Sequence, residues 1–314
     1  MIYKNFFSNI LIHLILSYLI VFYAHANILV SIKPIGFIAS AIADGIMPVD
    51  ILVPNGASEH SYILRPSDEK KLQDTDLLIW NGPDAEPFMA KSVFNISSNK
   101  TIVLTDIKEI QKFFIPINSN NCKDNSKHVC KNNVDSSFNS KTYNIHFWTS
   151  PDVARNIAIT IHKKLLQLMP QKKDKLNENL KQFELSLNNT DKKIMIELAP
   201  IRNKGYFVFH DAYVYFEKHY GLSSMGYFTK NPEIQPGLKH LYEIKKTIKE
   251  NKVVCIFSEP QFKVSVIDSL IKGTKVNQGV LDPLGSNIKL SKDSYLTFLL
   301  QLSNQYQSCL KNKK

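Results

Sequence analysis

Three histidines, His60, His146 and His210, stand where the residue pattern places strand ends or the start of a helix. Separations of 86 and 64 residues put them on different elements. Neutral imidazole nitrogens bind Zn2+ at about 2.0–2.1 Å, and three of them with one oxygen complete a tetrahedron. Glu59, Asp282 and water are the candidate oxygens. A single histidine at such a position is as easily a capping or surface residue, so spacing alone makes these three candidates only. The other six offer less. His13 and His25 fall in the N-terminal leader, and His162, His219 and His240 fall inside helical patterns, where they are expected to be solvated. His128 lies in a polar loop between Cys122 and Cys130. Catalytic signatures are missing: HExxH, GxSxG, a P-loop and GxGxxG do not occur. A zinc hydrolase would need an open coordination position and a placed base, and beyond Glu59 beside His60 nothing converges on one.

The elements that must position these residues read as an α/β chain. Ile28 to Ile32 is an apolar strand, followed by a helix from about Pro34 to Ala43, with Gly45 past its end. Strands follow at Val49 to Val53, Leu77 to Trp80 and Ile102 to Leu104, with Ser67 expected to cap a helix between the first two. Strand and helix alternating over short links implies parallel strands. Ser150-Pro151-Asp152 is an N-terminal helix signal, and Val153, Ile157, Ile161, Leu165 and Leu168 form one apolar face behind it. Pro170 interrupts that helix. A more polar one continues with Leu176, Leu180, Phe183 and Leu187, a stripe too thin for a deep core but suited to bridging two lobes. A second α/β half follows: strand Gly205 to Phe209, helices Ala212 to His219 and Leu238 to Glu250, strand Val253 to Phe257, helix Gln261 to Lys272 and strand Val276 to Leu281. In open α/β sheets ligands gather beyond the carboxyl ends of the strands, so loops of both halves can meet in one crevice.

Composition narrows the class. The 314 residues are 44% hydrophobic and 21% charged, which excludes wholesale disorder. A formal net charge of +11 permits an anionic partner, but the basic residues are scattered rather than clustered, and nucleic-acid binding is not expected. Residues 1–26 read as a cleaved signal peptide: Lys4, an apolar run from Ile10 to Tyr23, and Ala24-His25-Ala26 before Asn27. Export to an oxidising compartment favours paired cysteines. The four cysteines allow three connectivities, of which Cys255–Cys309 with Cys122–Cys130 is favoured. From Ile115 to Asn144 periodicity disappears and Asn and Ser dominate, which reads as a long mobile loop.

Longer words in the chain carry a resemblance. SIKPIGFIA at 31–39, GASEHSY at 56–62, LRPSD at 64–68, IHFWTSP at 145–151, GYFVFHDAY at 205–213, NPEIQPG at 231–237 and LDPLGSNIKL at 281–290 resemble the periplasmic zinc-binding component of bacterial zinc ABC importers, the ZnuA family. The likeness spans the chain from residue 27 onward except the loop at 115–144. It implies two α/β lobes, each a parallel sheet flanked by helices, with zinc in the cleft between them: lobes at 27–168 and 198–314, joined by one long helix at 169–197. It also implies His60, His146 and His210 as ligands, with Glu59 as the fourth and Asp282 as its competitor. Manganese-binding relatives place a carboxylate at the position of His210, and a three-nitrogen set favours zinc. The Cys255–Cys309 pair resembles a family disulfide, and Cys122–Cys130 is the second candidate. The expected partners are a membrane permease and its cytoplasmic ATPase. The mature protein is expected to be a periplasmic monomer, not embedded in the membrane and not an enzyme. The alternatives are a manganese or iron carrier of a related importer and, more remotely, a secreted zinc hydrolase. The departure from the family is the loop, which has one histidine and two acids where zinc-importing relatives often carry a His/Asp/Glu-rich stretch.

Overall fold

A computed structural model describes residues 26–117, 143–229, 231–250, 253–262 and 265–311. The expected signal peptide lies almost wholly outside these, as do Cys122, His128 and Cys130 of the Asn-rich loop. The first half runs β1 (Ile28–Val30), α1 (Lys33–Ile42), β2 (Val49–Ile51), α2 (Pro66–Asp74), β3 (Leu77–Trp80), the short α3 (Ala90–Val93), β4 (Thr101–Val103) and the short α4 (Lys108–Gln111). Next come α5 (Pro151–Leu168) and the 26-residue α6 (Lys173–Leu198). The second half runs β5 (Tyr206–His210), α7 (Val214–Tyr220), β6 (Tyr227–Thr229), α8 (Leu238–Lys249), β7 (Cys255–Ser258), α9 (Ser265–Ile271), β8 (Asn277–Val280) and α10 (Ser294–Leu310). The strands form two four-stranded parallel sheets, ordered β2-β1-β3-β4 and β6-β5-β7-β8. Strand β6 is too short and too weakly patterned to stand out in the sequence.

Parallel strands are covered on both faces, and here the parity of each strand shows it. Ile28 and Val30 of β1, Leu77 and Ile79 of β3, Tyr206 and Val208 of β5, and Cys255 and Phe257 of β7 all enter one continuous core shared by both halves. The alternate residues face outward into two separate clusters, Leu29, Leu78 and Trp80 on one side and Phe207, Phe209 and Ile256 on the other. The long helix α6 spans about 39 Å at 1.5 Å per residue. It packs against α1 and α5 of the first half and α7 and α10 of the second. Its buried positions are Leu176, Asn179, Phe183, Leu187, Ile194 and Leu198. Asn179 donates to the carbonyls of Ile42 and Asp44 at 3.0 and 2.9 Å, occupying acceptors that the end of α1 leaves unpaired. The stripe is thin, as expected, but α10 completes the bridge: Phe298 lies 5.9 Å from Phe37, and Tyr295 lies 6.1 Å from Phe183.

Several expectations need correction. Ser67 does not cap α2. The cap position is Arg65, with Pro66 opening the helix, and the Asp68 carboxylate reaches back to the Arg65 backbone N–H at 2.9 Å. Leu168, the last residue of α5, is 41% exposed rather than part of the buried face. His162 and His219 are not solvated. His162 packs against Asn177 at 2.9 Å, and His219 sits between two carboxylates, Asp152 and Asp191. His240 is exposed, as expected, and donates to the Tyr227 carbonyl. The Ser150 cap is as read: its hydroxyl accepts from the Val153 N–H at 3.4 Å, with Pro151 in the first turn. Cys255 on β7 is bonded to Cys309 on α10, with Cα atoms 5.9 Å apart.

Candidate metal centre

Each of the three histidines sits at the carboxyl-end side of the sheets. His60 follows β2 through the loop from Pro54. His210 is the last residue of β5, and His146 precedes the 3-10 turn Phe147–Thr149 that leads into α5. Trp148, fully buried beside His146, donates its indole N–H to the Pro283 carbonyl at 2.9 Å, and Tyr295 donates to the Trp148 carbonyl at 2.8 Å. The turn carrying His146 is thereby pinned to the loop after β8 and to the C-terminal helix.

The ring nitrogens converge. His146 Nε2 lies 3.3 Å from His60 Nε2 and 3.1 Å from His210 Nε2, while Glu59 Oε1 lies 3.6 and 3.7 Å from the Nε2 atoms of His60 and His146. Among the described residues one group of His, Cys, Asp or Glu side chains is arranged to hold a metal ion, and it is Glu59, His60, His146 and His210, with ligand atoms all within 4.8 Å of one another. A tetrahedral ion with bonds of about 2.0–2.1 Å requires ligand atoms separated by about 3.3 Å, and the four distances above, 3.1 to 3.7 Å, are close to it. Glu59 Oε1 is buried and accepts no hydrogen bond, so it is an acceptor aimed at the same point.

The opposite edges of two rings are held. Asn144 Oδ1 accepts from the backbone N–H of His146 and from its Nδ1–H, both at 3.0 Å, and the Asn144 amide N–H donates to the Asp211 carbonyl. His210 Nδ1–H donates to Glu259 Oε1 at 2.7 Å. In both rings Nδ1 carries a proton toward its acceptor, and Nε2 is the nitrogen turned to the cluster. Burial pushes His60 down to about 3, helped by the charge of His210, and pushes His146 well down for the same reasons. Burial also acts to lower His210, but the charge and hydrogen bond of Glu259 outweigh it and the value is raised. Glu59 is pushed up to about 7, chiefly by burial. Glu59, His146 and His210 are almost inaccessible, and His60, with 15% of its side chain exposed, forms the outer edge.

Asp282 stands outside this group. Its Oδ1 accepts from the Leu284 N–H and from Gln261, and its Oδ2 accepts from the Ser286 N–H at 2.7 Å, so it folds the turn after β8. Glu259, by contrast, was not among the sequence candidates. Its signal was available: an acid directly after an apolar strand and before a proline.

A family model described as the periplasmic component A of the zinc-uptake complex, ZnuA, matches residues 28–309. The chain belongs to the ZnuA family. The high-affinity zinc uptake system protein ZnuA of Yersinia pestis is 48% identical over 294 residues, covering 92% of each chain. That of Buchnera aphidicola subsp. Schizaphis graminum is 43% identical over 308 residues, covering 98% of this chain and 96% of its own. A crystal structure of ZnuA superposes with a TM-score of 0.73 at 20% identity, over 91% of this chain and 99% of that one. The Mn2+ complex of the substrate-binding protein FpvC from Pseudomonas aeruginosa gives 0.73 at 18% identity, with the same coverage. At these identities the two structures speak for the fold. The family is one of periplasmic components of zinc-uptake complexes.

Proposed function

We propose that this protein captures Zn2+ in the periplasm and delivers it to the permease of an ABC importer, without catalysing a reaction. One observation carries the reading: three imidazole nitrogens and an unpaired Glu59 oxygen, drawn from both halves, lie within 4.8 Å of one another in a buried site. His60, His146 and His210 would be the ligands and Glu59 the fourth. Three imidazoles and a carboxylate suit zinc better than manganese, and a full protein set leaves no position for an activated water. That argues for a carrier over a hydrolase. Zinc is the cargo, and His60, at the exposed edge, is the ligand through which it would enter and leave. The working boundaries are a cleaved signal over 1–26, lobes at 27–168 and 198–314, and a linking helix at 169–197.

Titration of metal-free protein with Zn2+ and Mn2+, read by calorimetry or chelator competition, tests this. The expected result is one tight zinc per chain, weaker manganese, and losses of orders of magnitude in each of the His60→Ala, His146→Ala and His210→Ala variants. Near-native affinity in all three would place the site elsewhere.

A further inference from the structure

Glu259 touches a ligand without being one. The pairing Tyr206↔Cys255 and Phe207↔Ile256 between β5 and β7, continued along both chains, brings His210 beside Glu259 on the inner face of the sheet. Glu259 directly follows the last residue of β7, and Pro260 after it biases its backbone toward the extended region. Both side chains are essentially inaccessible, and the contact between them is 2.7 Å. The partner of His146, by comparison, is the neutral amide of Asn144. One histidine of the site therefore has an anion behind it and another has a dipole.

Resting on the zinc reading above, we propose that Glu259 is a positioning and charge-balancing residue of the metal site: it locks the tautomer and orientation of His210, and its carboxylate supplies the second negative charge that a buried dication requires. With three neutral imidazoles and Glu59, a bound dication leaves one net positive charge in a site nearly closed to water, where uncompensated charge is costly. Glu259 cancels it through the His210 ring. Asp282 is already committed to the turn after β8 and to the nearby Lys33 ammonium. Glu259 Oε2 is buried with no hydrogen-bond partner, and besides His210 the Tyr213 hydroxyl is the polar group set against this carboxylate. A hydrogen-bonded carboxylate also makes the imidazole a stronger donor to the metal.

The test compares wild type with Glu259→Gln, which can still accept from Nδ1–H but carries no charge. Zinc affinity is read by chelator competition, the ligand field by the visible bands of the Co2+ form, and stability by the denaturant midpoint of the metal-free protein. Glu259→Gln is expected to bind zinc about 10–100-fold more weakly, to shift the Co2+ bands, and to unfold no earlier than wild type when metal-free. Affinity within threefold of wild type, unchanged Co2+ bands, or a lowered metal-free midpoint would each overturn the proposal. Failure of wild type itself to bind zinc tightly would instead overturn the functional reading, so the two failures are distinguishable.

Discussion

Two buried carboxylates, Glu59 and Asp282, compete for the role of fourth ligand, and their hydrogen bonds separate them. Asp282 accepts from two backbone N–H groups, a glutamine amide and a hydroxyl, whereas Glu59 Oε1 accepts none and faces two imidazole nitrogens. Removing an acceptor from a satisfied turn costs about 1–3 kcal/mol of folding stability. Removing a ligand costs affinity, and tenfold corresponds to about 1.4 kcal/mol. Asp282→Asn is therefore expected to lower the melting temperature while keeping one zinc per chain at near-native affinity. Glu59→Gln is expected to lose at least tenfold in affinity with little effect on the metal-free fold. Competition with a chelator and thermal denaturation read both, and the reverse pattern would make Asp282 the ligand.

Helices and strands are tied to one another at two points that carry distinct predictions. The Cys255–Cys309 bridge fastens α10 to β7 across 54 residues, and the chain-entropy estimate for such a loop is on the order of 4 kcal/mol. Unfolding free energies of the oxidised protein and the Cys255→Ala/Cys309→Ala double variant, read by denaturant titration, should differ by that order, and equal values would contradict it. The second point is His219 on α7. Its Nδ1 lies 3.2 Å from Asp152 in the first turn of α5, and its Nε2 lies 2.7 Å from Asp191 on α6. Burial acts to lower His219, but the two carboxylates outweigh it and raise it above 6.5. Burial acts to raise Asp191, but His219 outweighs it and lowers it below 3.8. A raised histidine stabilises the fold fully below its unfolded value and loses that contribution as pH rises through its folded value. A lowered aspartate contributes above its unfolded value and loses it as pH falls. The three-helix clamp is thus complete between roughly pH 4 and 6.5 and fades at higher pH. His219→Ala should destabilise the protein more at pH 6 than at pH 9, as read by chemical denaturation. A difference independent of pH would remove the ionic part of the argument.

At the scale of the whole molecule, the cluster that could hold a metal ion draws Glu59 and His60 from the loop after β2, His146 from the segment before α5 and His210 from the end of β5, so an ion bound there would fasten the two halves together. Direct contacts already cross between the two halves: Asn144 to the Asp211 carbonyl, Trp148 to the Pro283 carbonyl and Lys33 to the Ser286 carbonyl at 2.6 Å. Binding to the folded state alone stabilises it by about 4.1 kcal/mol at a free ligand concentration 1,000 times Kd. Zinc should therefore raise the melting temperature with the logarithm of its excess over Kd, a chelator should reverse the rise, and His210→Ala should abolish it. A melting temperature indifferent to zinc would show that the ion does not bind across the two halves.

Local physics was legible from the chain. Alternating strand and helix, the Ser150-Pro151 start of α5, the break at Pro170 and the apolar words Ile28 to Val30 and Tyr206 to Phe209 each rest on neighbours within a few residues. His60, His146 and His210 could be picked out because strand ends are visible as the points where apolar runs stop. Their meeting could not be read there: nothing in their spacing says that the Nε2 atoms come within 3.1–3.3 Å, and only the family words implied it. The role of Glu259 depends on β5 and β7 being neighbours in register, which the sequence does not encode locally, and the burial of His219 depends on three helices packing around it. Periodicity and capping are properties of contiguous residues. Ligand geometry, ion-pair partners and the choice between Glu59 and Asp282 are decided by contacts between residues tens to hundreds of positions apart, and those exist only once the two sheets have folded onto a common core.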